Sequence, residues 1–165
     1  MPIPNPKLKI LSIKKIALLT KKLRKQGLKI VFTNGCFDLI HRGHAEYLMK
    51  ARTYADFLIV GINSDNSIKK LKGPDRPLCK QEDRAYLLAS FYFVDAVVIF
   101  NQVRCTKLMK LIKPDIYVKG GDYNINNINQ EEKEALLESG TKIKFIPFIG
   151  NFSTTFLLNK IKNCK

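Results

Sequence analysis

The clearest indication of the fold is the segment Thr33-Asn34-Gly35-Cys36-Phe37-Asp38-Leu39-Ile40-His41-Arg42-Gly43-His44. The apolar run before it, residues 28–32, predicts a β-strand, and residues 45–54 after it predict a helix. A strand, a glycine-containing turn and a helix start together form a phosphate site, because unpaired N–H groups and the helix dipole converge there. Both histidines of the chain lie in this stretch. We interpret His41 and His44 as donors to a reacting phosphate; the alternative is two ordinary histidines of a polar loop.

Strands and helices alternate on both sides of this stretch, without a long linker or an internal repeat. The patterns predict strands at 29–32, 57–62, 96–100, 116–118 and 142–146, and helices at 13–25, 45–54, 82–91, 106–112, 130–138 and from about 153. Residues 63–81 are predicted to form a long loop. Apolar strands separated by helices indicate right-handed β-α-β units. The predicted fold is an α/β, Rossmann-like, doubly wound five-stranded parallel sheet of order 3-2-1-4-5.

A length of 165 residues fits a single domain, with residues 1–26 as an N-terminal extension and helix and residues 27–162 as the core. In such a sheet, ligands bind beyond the carboxyl ends of the strands where the winding reverses, here between the first and fourth strands. The first predicted strand ends in the histidine stretch. The fourth ends in the chain's only Gly-Gly pair, within Val118-Lys119-Gly120-Gly121-Asp122-Tyr123. Lys119 suits a triphosphate and Asp122 suits a ribose or base edge, although an ordinary glycine turn has the same composition.

Two further segments carry polar groups that suit anionic or hydroxylated ligands. One opens the last predicted helix, where hydroxyls and free N–H groups make a second anion cradle or a simple N-cap, and it reads Gly150-Asn151-Phe152-Ser153-Thr154-Thr155. The other is the predicted loop after the second strand, whose candidates for a second substrate are Asn63, Asp65, Lys72, Arg76 and Arg84. Charged loops are also commonly just solvated. Asp38, in the histidine stretch, suits a hydroxyl, Mg²⁺ or an imidazole, and equally a helix cap.

Composition narrows the class of protein without choosing the ligand. The chain has 29 basic and 14 acidic residues, a net charge of +15, which attracts polyanions such as nucleic acid or phosphorylated metabolites. The lysines are spread along the chain and form no single stripe. No apolar run is long enough for a membrane span and no signal core is present, so a cytoplasmic protein is expected. The four cysteines are far apart, which argues against a zinc knuckle, and Cys36 is interpreted as a packing residue.

The run from Gly35 to His44 resembles the G-x-F-D-x-x-H-x-G-H signature of the cytidylyltransferase-like nucleotidyltransferases, and Ser153-Thr154-Thr155 resembles a later segment of that superfamily. Within it, the chain is most similar to the heptose-1-phosphate adenylyltransferase branch. The matching segments are Thr33 to Asp38, Asn63-Ser64-Asp65, Leu71-Lys72-Gly73-Pro74 with Arg76-Pro77, and Val118 to Tyr123. The resemblance extends from about residue 25 to residue 161.

The resemblance implies attack of a sugar 1-phosphate on the α-phosphorus of ATP, which releases pyrophosphate without a covalent enzyme intermediate. It assigns His41 and His44 to the transition state, and the sugar to the second-substrate residues named above together with Asp38. It assigns the nucleotide to Asn34, Gly35, Cys36, Phe37, Gly43, Lys119, Gly120, Asp122, Ser153, Thr154 and Thr155. Mg²⁺ is expected to arrive with the triphosphate, because no carboxylate cluster is found and no protein metal site is expected. A homodimer and a separate upstream sugar kinase are also expected.

Two positions depart from the broader superfamily. A basic residue often follows the Ser-Thr segment where this chain has Leu158, and polyol-phosphate cytidylyltransferases usually have lysine where this chain has Glu46. The second departure argues against glycerol phosphate as the substrate. The open alternatives are a nucleotidyltransferase that uses GTP or CTP with another sugar, polyol or flavin phosphate, and a basic nucleic-acid-binding protein, which we consider the weaker interpretation.

Overall fold

The computed structural model describes residues 5–121, 124, 127–147 and 154–163. A short 3₁₀-helix at Pro6–Lys9 is followed by α1 (Ile13–Lys25), β1 (Ile30–Gly35), α2 (Arg42–Arg52), β2 (Phe57–Asn63), α3 (Asp65–Lys72) and α4 (Gln81–Ser90). Then come β3 (Ala96–Phe100), α5 (Thr106–Ile112), β4 (Ile116–Gly120), α6 (Gln130–Glu138), β5 (Lys142–Ile146) and α7 (Thr154–Lys162). The five strands form one parallel sheet of order β3-β2-β1-β4-β5, which confirms the predicted fold and strand order.

The sheet has an apolar core on each face, because successive strand residues point to opposite sides. In β1, Ile30 and Phe32 pack with α1, α5 and α6, whereas Val31 packs with α2 and α4. All three side chains are fully buried. The apolar alternation therefore determines which helices cover which face. Among the described residues, no helix is long and apolar enough to cross a membrane.

The N-terminal segment packs onto the sheet rather than extending from it. Ile16 of α1 is fully buried, and Leu23 is nearly so, in the core shared with α5 and α6. Just before α1, Ile10 forms an isolated parallel bridge with Val97 of β3, and the Leu11 N–H donates to the Val97 carbonyl at 2.8 Å. The segment therefore shields part of the outer edge of β3, which would otherwise expose unpaired backbone groups.

The prediction of a long loop at residues 63–81 was wrong, because this segment contains α3. Ser64 caps the helix, its Oγ accepting from the Ser67 N–H at 3.2 Å. The sequence pattern concealed this helix because it spans only eight residues and its one buried apolar side chain is Ile68. One apolar residue produces no 3.6-residue periodicity to detect.

The prediction that α2 starts at residue 45 was also wrong, since the helix begins at Arg42 with His41 as its N-cap. Histidine is not one of the residue types that mark N-caps in sequence, so the first turn was overlooked. Asp38 lies three residues before this N-cap, which excludes the interpretation of Asp38 as the cap. Both histidines therefore lie in the first turn of α2, at the positive end of the helix dipole.

Candidate active site

A cleft of about 730 Å³ lies at the carboxyl ends of the strands, between β1 and β4. Its position is the predicted point at which the winding reverses. Thirteen of the predicted site residues line it: Asn34, Gly35, Cys36, Phe37, Asp38, His41, Gly43, His44, Asn63, Lys72, Lys119, Gly120 and Thr154. Asp122, Ser153 and the side chain of Thr155 lie outside the described residues. Asp65, Arg76 and Arg84 are described but do not line the cleft.

The two histidines form a stacked pair at the start of α2. Their ring centroids are 3.9 Å apart with an interplanar angle of 28°. The backbone N–H of His41 donates to Nδ1 of His44 at 3.3 Å. A neutral imidazole that accepts at Nδ1 carries its proton on Nε2, so His44 has an N–H donor on its other side. Nδ1 of His41 is buried and has no hydrogen-bond partner in the described part of the chain.

Both histidines are held in the neutral form. Burial lowers the pKa of His41. Burial, the neighbouring His41 and the ammonium of Lys72 together lower the pKa of His44 to about 4. A neutral imidazole still donates one hydrogen bond, so the pair can stabilise growing negative charge on a phosphate without carrying a positive charge beforehand.

The low pKa of His44 predicts a loss of stability in acid. Since the folded pKa of about 4 lies below the ordinary value of 6.5, the unfolded chain binds more protons between these values. The contribution is fully present above pH 6.5 and is lost as pH falls towards 4. In His44→Asn the amide oxygen can still accept from the His41 N–H. Between pH 7 and pH 5 we expect the free energy of unfolding of this variant to fall by about 1–2 kcal/mol less than that of the wild type. Urea denaturation at both pH values measures this, and equal losses in the two proteins would contradict it.

The turn between β1 and α2 has two residues in the left-handed region, Phe37 with φ of 48° and Leu39 with φ of 49°. Non-glycine residues rarely adopt this conformation, and it clusters at functional sites. The Phe37 ring is buried and packs on His44 at a centroid distance of 5.3 Å. A Cβ on Gly35 would come within 3.1 Å of the same ring, so glycine permits this packing. The sequence pattern did not predict the left-handed residues.

Asp38 fastens this turn to the segment between α3 and α4. Its carboxylate accepts from the backbone N–H groups of Leu78 and Cys79 at 3.0 and 3.1 Å and pairs with Arg76 at 2.9 Å. Burial alone raises the pKa of the Asp38 carboxyl, but these three donors outweigh burial and lower it. Asp38 lines the cleft, yet its oxygens are engaged by protein, so this structure gives it and Arg76 a positioning role rather than the predicted contact with substrate.

The prediction that Arg84 contacts a phosphate needs correction. Its side chain is fully buried on α4 and lies behind the cleft. The guanidinium donates to the carbonyls of Cys79 and Asn63 at 3.0 and 2.9 Å, to the carbonyl of Cys36, and to the Asp65 carboxylate at 2.7 Å. Arg84 therefore joins the ends of β1 and β2 to α3 and α4, and Asp65 is its counter-ion. The sequence did not reveal this role, because the local pattern around a buried arginine does not differ from that around an arginine that binds phosphate.

The Cys36 side chain offers no reactive group to the cleft. Burial raises the pKa of its thiol, and the nearby cations Lys72 and Arg84 do not overcome this effect. The thiolate, not the thiol, is the nucleophile, so a raised pKa makes Cys36 less reactive than an ordinary cysteine. Its neighbour Asn34 accepts a hydrogen bond from the Tyr117 hydroxyl at 2.6 Å, which fixes the orientation of the Asn34 amide in the cleft.

Tyr47 of α2 lines the cleft and joins the two central strands, β1 and β4. Its hydroxyl donates to the Val118 carbonyl at 3.0 Å, so the Thr33 hydroxyl, 2.6 Å away, donates to it in turn. Gly120 lies directly against the ring, since a Cβ there would be 2.8 Å from it. Glycine at this position is therefore required by packing as well as by the predicted nucleotide site. Tyr47 is not among the site residues predicted from the sequence.

Two helix N-termini converge on the cleft. Gly43 of α2 and Thr154 of α7 both line it, and the Thr154 hydroxyl donates to the Asp38 carbonyl at 2.8 Å. Residues 116 places apart in sequence thus meet at the site. Free N–H groups and aligned dipoles at helix N-termini favour phosphate. Lys160, farther along α7, is exposed and does not line the cleft.

Other lining residues were missed by sequence analysis. They come from the loops before α5 and α6 and from α6 itself: Val103, Arg104, Asn127, Asn129 and Glu132. The one signal in the sequence is that these residues follow β3 and β4, because segments that follow the carboxyl ends of the strands line the ligand site in this fold. Within the described ranges, no group of three or more histidine, cysteine or acidic residues could hold a metal ion.

Residues 32–162 match the cytidylyltransferase-like family. The chain belongs to this family. It is therefore an enzyme of the nucleotidyltransferase class, and the family assignment confirms the resemblance drawn from the histidine stretch and the Ser-Thr segment. The matched range contains all five strands except the first two residues of β1.

Curated relatives of this cytidylyltransferase-like chain carry the name bifunctional protein HldE. The protein from Nitratiruptor sp. is 47% identical over 94% of this chain and 32% of its own length. The protein from Helicobacter pylori (strain J99) is 48% identical over 93% of this chain and 31% of its own length. The chain thus spans about a third of the length of these relatives.

Two solved structures share the fold. A lipopolysaccharide core biosynthesis protein from Thermoplasma volcanium is 25% identical, with a TM-score of 0.60 over 74% of this chain and 98% of its own. A pantoate-beta-alanine ligase from Francisella tularensis is 19% identical, with a TM-score of 0.55 over 94% of this chain and 78% of its own. The second likeness shows the fold alone.

Proposed function

We propose that this chain transfers AMP from ATP to a heptose 1-phosphate, giving ADP-heptose and pyrophosphate. The observation that carries the proposal is the neutral, stacked histidine pair at the first turn of α2, inside the cleft at the reversal point. The similarity to bifunctional HldE proteins and to a lipopolysaccharide core biosynthesis protein supports the choice of a heptose. Surface glycan precursors are the products that this choice implies.

The reaction needs no general base on the protein. A sugar phosphate is largely ionised at neutral pH, because its second pKa is about 6. One of its oxygens attacks the α-phosphorus, a new O–P bond forms, and the bond to the β-phosphate oxygen breaks as pyrophosphate leaves. Negative charge grows on the equatorial oxygens of the α-phosphate during this exchange. We assign to His41 and His44, in the first turn of α2, the hydrogen bonds that stabilise these oxygens.

Groups around the histidine pair bind the other two phosphates of ATP. We assign the β- and γ-phosphates to the first turn of α7 at Thr154 and to Lys119, and the nucleoside to the backbone at Gly120 and Gly121. Mg²⁺ belongs to the substrate, as its complex with the triphosphate. An upstream kinase that makes the sugar 1-phosphate, a cytoplasmic location and a homodimer remain part of the proposal.

A pyrophosphate-release assay tests the function. Wild-type protein is assayed with ATP, GTP, CTP and UTP, each with and without heptose 1-phosphate and with Mg²⁺ present. We expect release that depends on both ATP and heptose 1-phosphate, and a product with the mass of ADP-heptose. Exclusive use of CTP, or release with another phosphorylated acceptor only, would refute the assignment.

A further inference from the structure

The groups that the sequence suggested for the sugar phosphate are largely engaged by protein. Asp38 and Arg76 pair with each other, and Arg84 pairs with Asp65 and with backbone carbonyls behind the cleft. A sugar phosphate carries two negative charges that a binding site must compensate. Other cations of the cleft must therefore meet this acceptor.

Three lysine or arginine side chains line the cleft within the described part of the chain, namely Lys72, Arg104 and Lys119. Lys119 lies on β4, on the side proposed for the nucleotide. Lys72 ends α3, which follows β2, and Arg104 follows β3. Because β2 and β3 lie on the side of β1 away from β4, the strands that lead to Lys72 and Arg104 approach the cleft from that side, and the loop of Arg104 also reaches α6 through Cys105.

The loop that carries Arg104 is fixed on both sides of it. The Ser67 hydroxyl of α3 donates to the Gln102 carbonyl at 2.8 Å. The Cys105 N–H donates to Oε1 of the buried Glu132 at 3.2 Å, and the Cys105 side chain is itself buried. Arg104 stays exposed between these two anchors. A fixed backbone presents the guanidinium at a defined place and lowers the entropy lost on binding.

Lys72 connects this end of the cleft to the histidines. After burial and the proximity of His41, its ammonium is the next cause that lowers the pKa of His44, so its charge lies within reach of that ring. Val103 and Leu71 line the cleft beside the two cations. A phosphate that Lys72 contacts would thus lie near His44, in the same cleft that Arg104 lines.

We propose that Arg104 is a substrate-binding residue that holds the phosphate of the acceptor, with its planar guanidinium donating two parallel hydrogen bonds to two phosphate oxygens. The third oxygen of that phosphate then faces the α-phosphorus beside the histidines. This inference rests on the proposed function, because it assigns one end of the same cleft to the phosphorylated acceptor. Arg104 is thereby added to the acceptor site predicted from the sequence, which comprised Asp38, Asn63, Asp65, Lys72, Arg76 and Arg84.

The test compares Arg104→Gln and Arg104→Lys with Lys107→Gln. Lys107 lies three residues later, in the first turn of α5, and is an exposed lysine that does not line the cleft. We expect Arg104→Gln to raise the KM for heptose 1-phosphate about 10- to 100-fold, as the loss of a charged bidentate contact does. Its KM for ATP should change less than about twofold. Arg104→Lys should recover part of the loss, because it restores the charge but not the fork. Lys107→Gln should match the wild type.

Direct binding separates this proposal from the proposed function. If the proposed function is wrong, the wild-type protein itself will release no pyrophosphate with ATP and heptose 1-phosphate. In that case the thermal shift given by glycerol 3-phosphate and by inorganic phosphate, with a non-hydrolysable ATP analogue present, decides the role of Arg104. Loss of that shift in Arg104→Gln but not in Lys107→Gln supports the proposal. An unchanged shift or KM, or a rise confined to the KM for ATP, overturns it.

Discussion

Replacing His41 or His44 with alanine is expected to lower turnover by on the order of a hundredfold or more, while the protein stays folded. The physical reason is that each ring supplies a fixed hydrogen-bond donor to an oxygen whose charge grows only in the transition state. Removal of one such donor lowers turnover by about this factor. The fold should survive, because both rings lie at the partly exposed start of α2 and not in either apolar core. Steady-state pyrophosphate release gives the rate, and circular dichroism gives the folded state.

Arg42→Ala provides the matched control. Arg42 lies between the two histidines, but its side chain is 71% exposed and pairs with Glu46 on the outside of the helix. We expect its turnover to stay within about twofold of the wild type, because solvent-exposed ion pairs contribute little. Wild-type turnover in both histidine variants would refute the mechanism. So would an equal loss in Arg42→Ala, since that would indicate general damage to the helix.

Replacing Arg84 with methionine is expected to lower the free energy of unfolding by about 3–5 kcal/mol. Methionine keeps much of the volume of the stem, but it leaves the Asp65 carboxylate and the carbonyls of Cys36, Asn63 and Cys79 without their donor. Arg84 is fully buried and Asp65 is 30% exposed, so the cost comes from the three carbonyls that lose their donor as well as from the broken ion pair, about this much in total. Urea denaturation followed by circular dichroism measures the loss.

Lys110→Met is the matched control for charge removal. The Lys110–Glu138 pair is separated by 3.1 Å, with the two side chains 55% and 65% exposed. We expect its loss to cost less than about 1 kcal/mol. If Arg84 bound a phosphate instead, as its sequence context suggested, Arg84→Met would keep its stability and lose nucleotide or sugar affinity. That result would contradict the role we derive from its burial.

The strands and their order could be predicted because they follow from short-range patterns. Apolar runs such as Phe57–Asn63 and Ala96–Phe100 identify buried parallel strands, and the helices between them permit few topologies. The reversal point then follows from the order, and with it the meeting of the histidine stretch with Lys119 and Gly120. The family resemblance of the same stretch pointed to the same reaction class.

The roles of single charged residues could not be predicted in this way. Arg84 lies in α4 and Arg104 in the loop before α5, yet the side chain of Arg84 is fully buried and that of Arg104 lines the cleft. Which of them faces the cleft depends on how α4 and the loop before α5 pack, and no local pattern encodes that. The same holds for Asp38, whose partners lie 38 to 41 residues away in the chain.

The strand order, the position of the cleft and the presence of two histidines in it could all be predicted from the amino-acid sequence. These depend on hydrophobic periodicity and on glycine spacing, which act over a few residues. The tertiary structure alone decided the charge state of His44, the left-handed turn at Phe37 and the division of the charged side chains between scaffold and cleft. Those properties depend on burial and on contacts between distant segments, and burial exists only once the chain has folded.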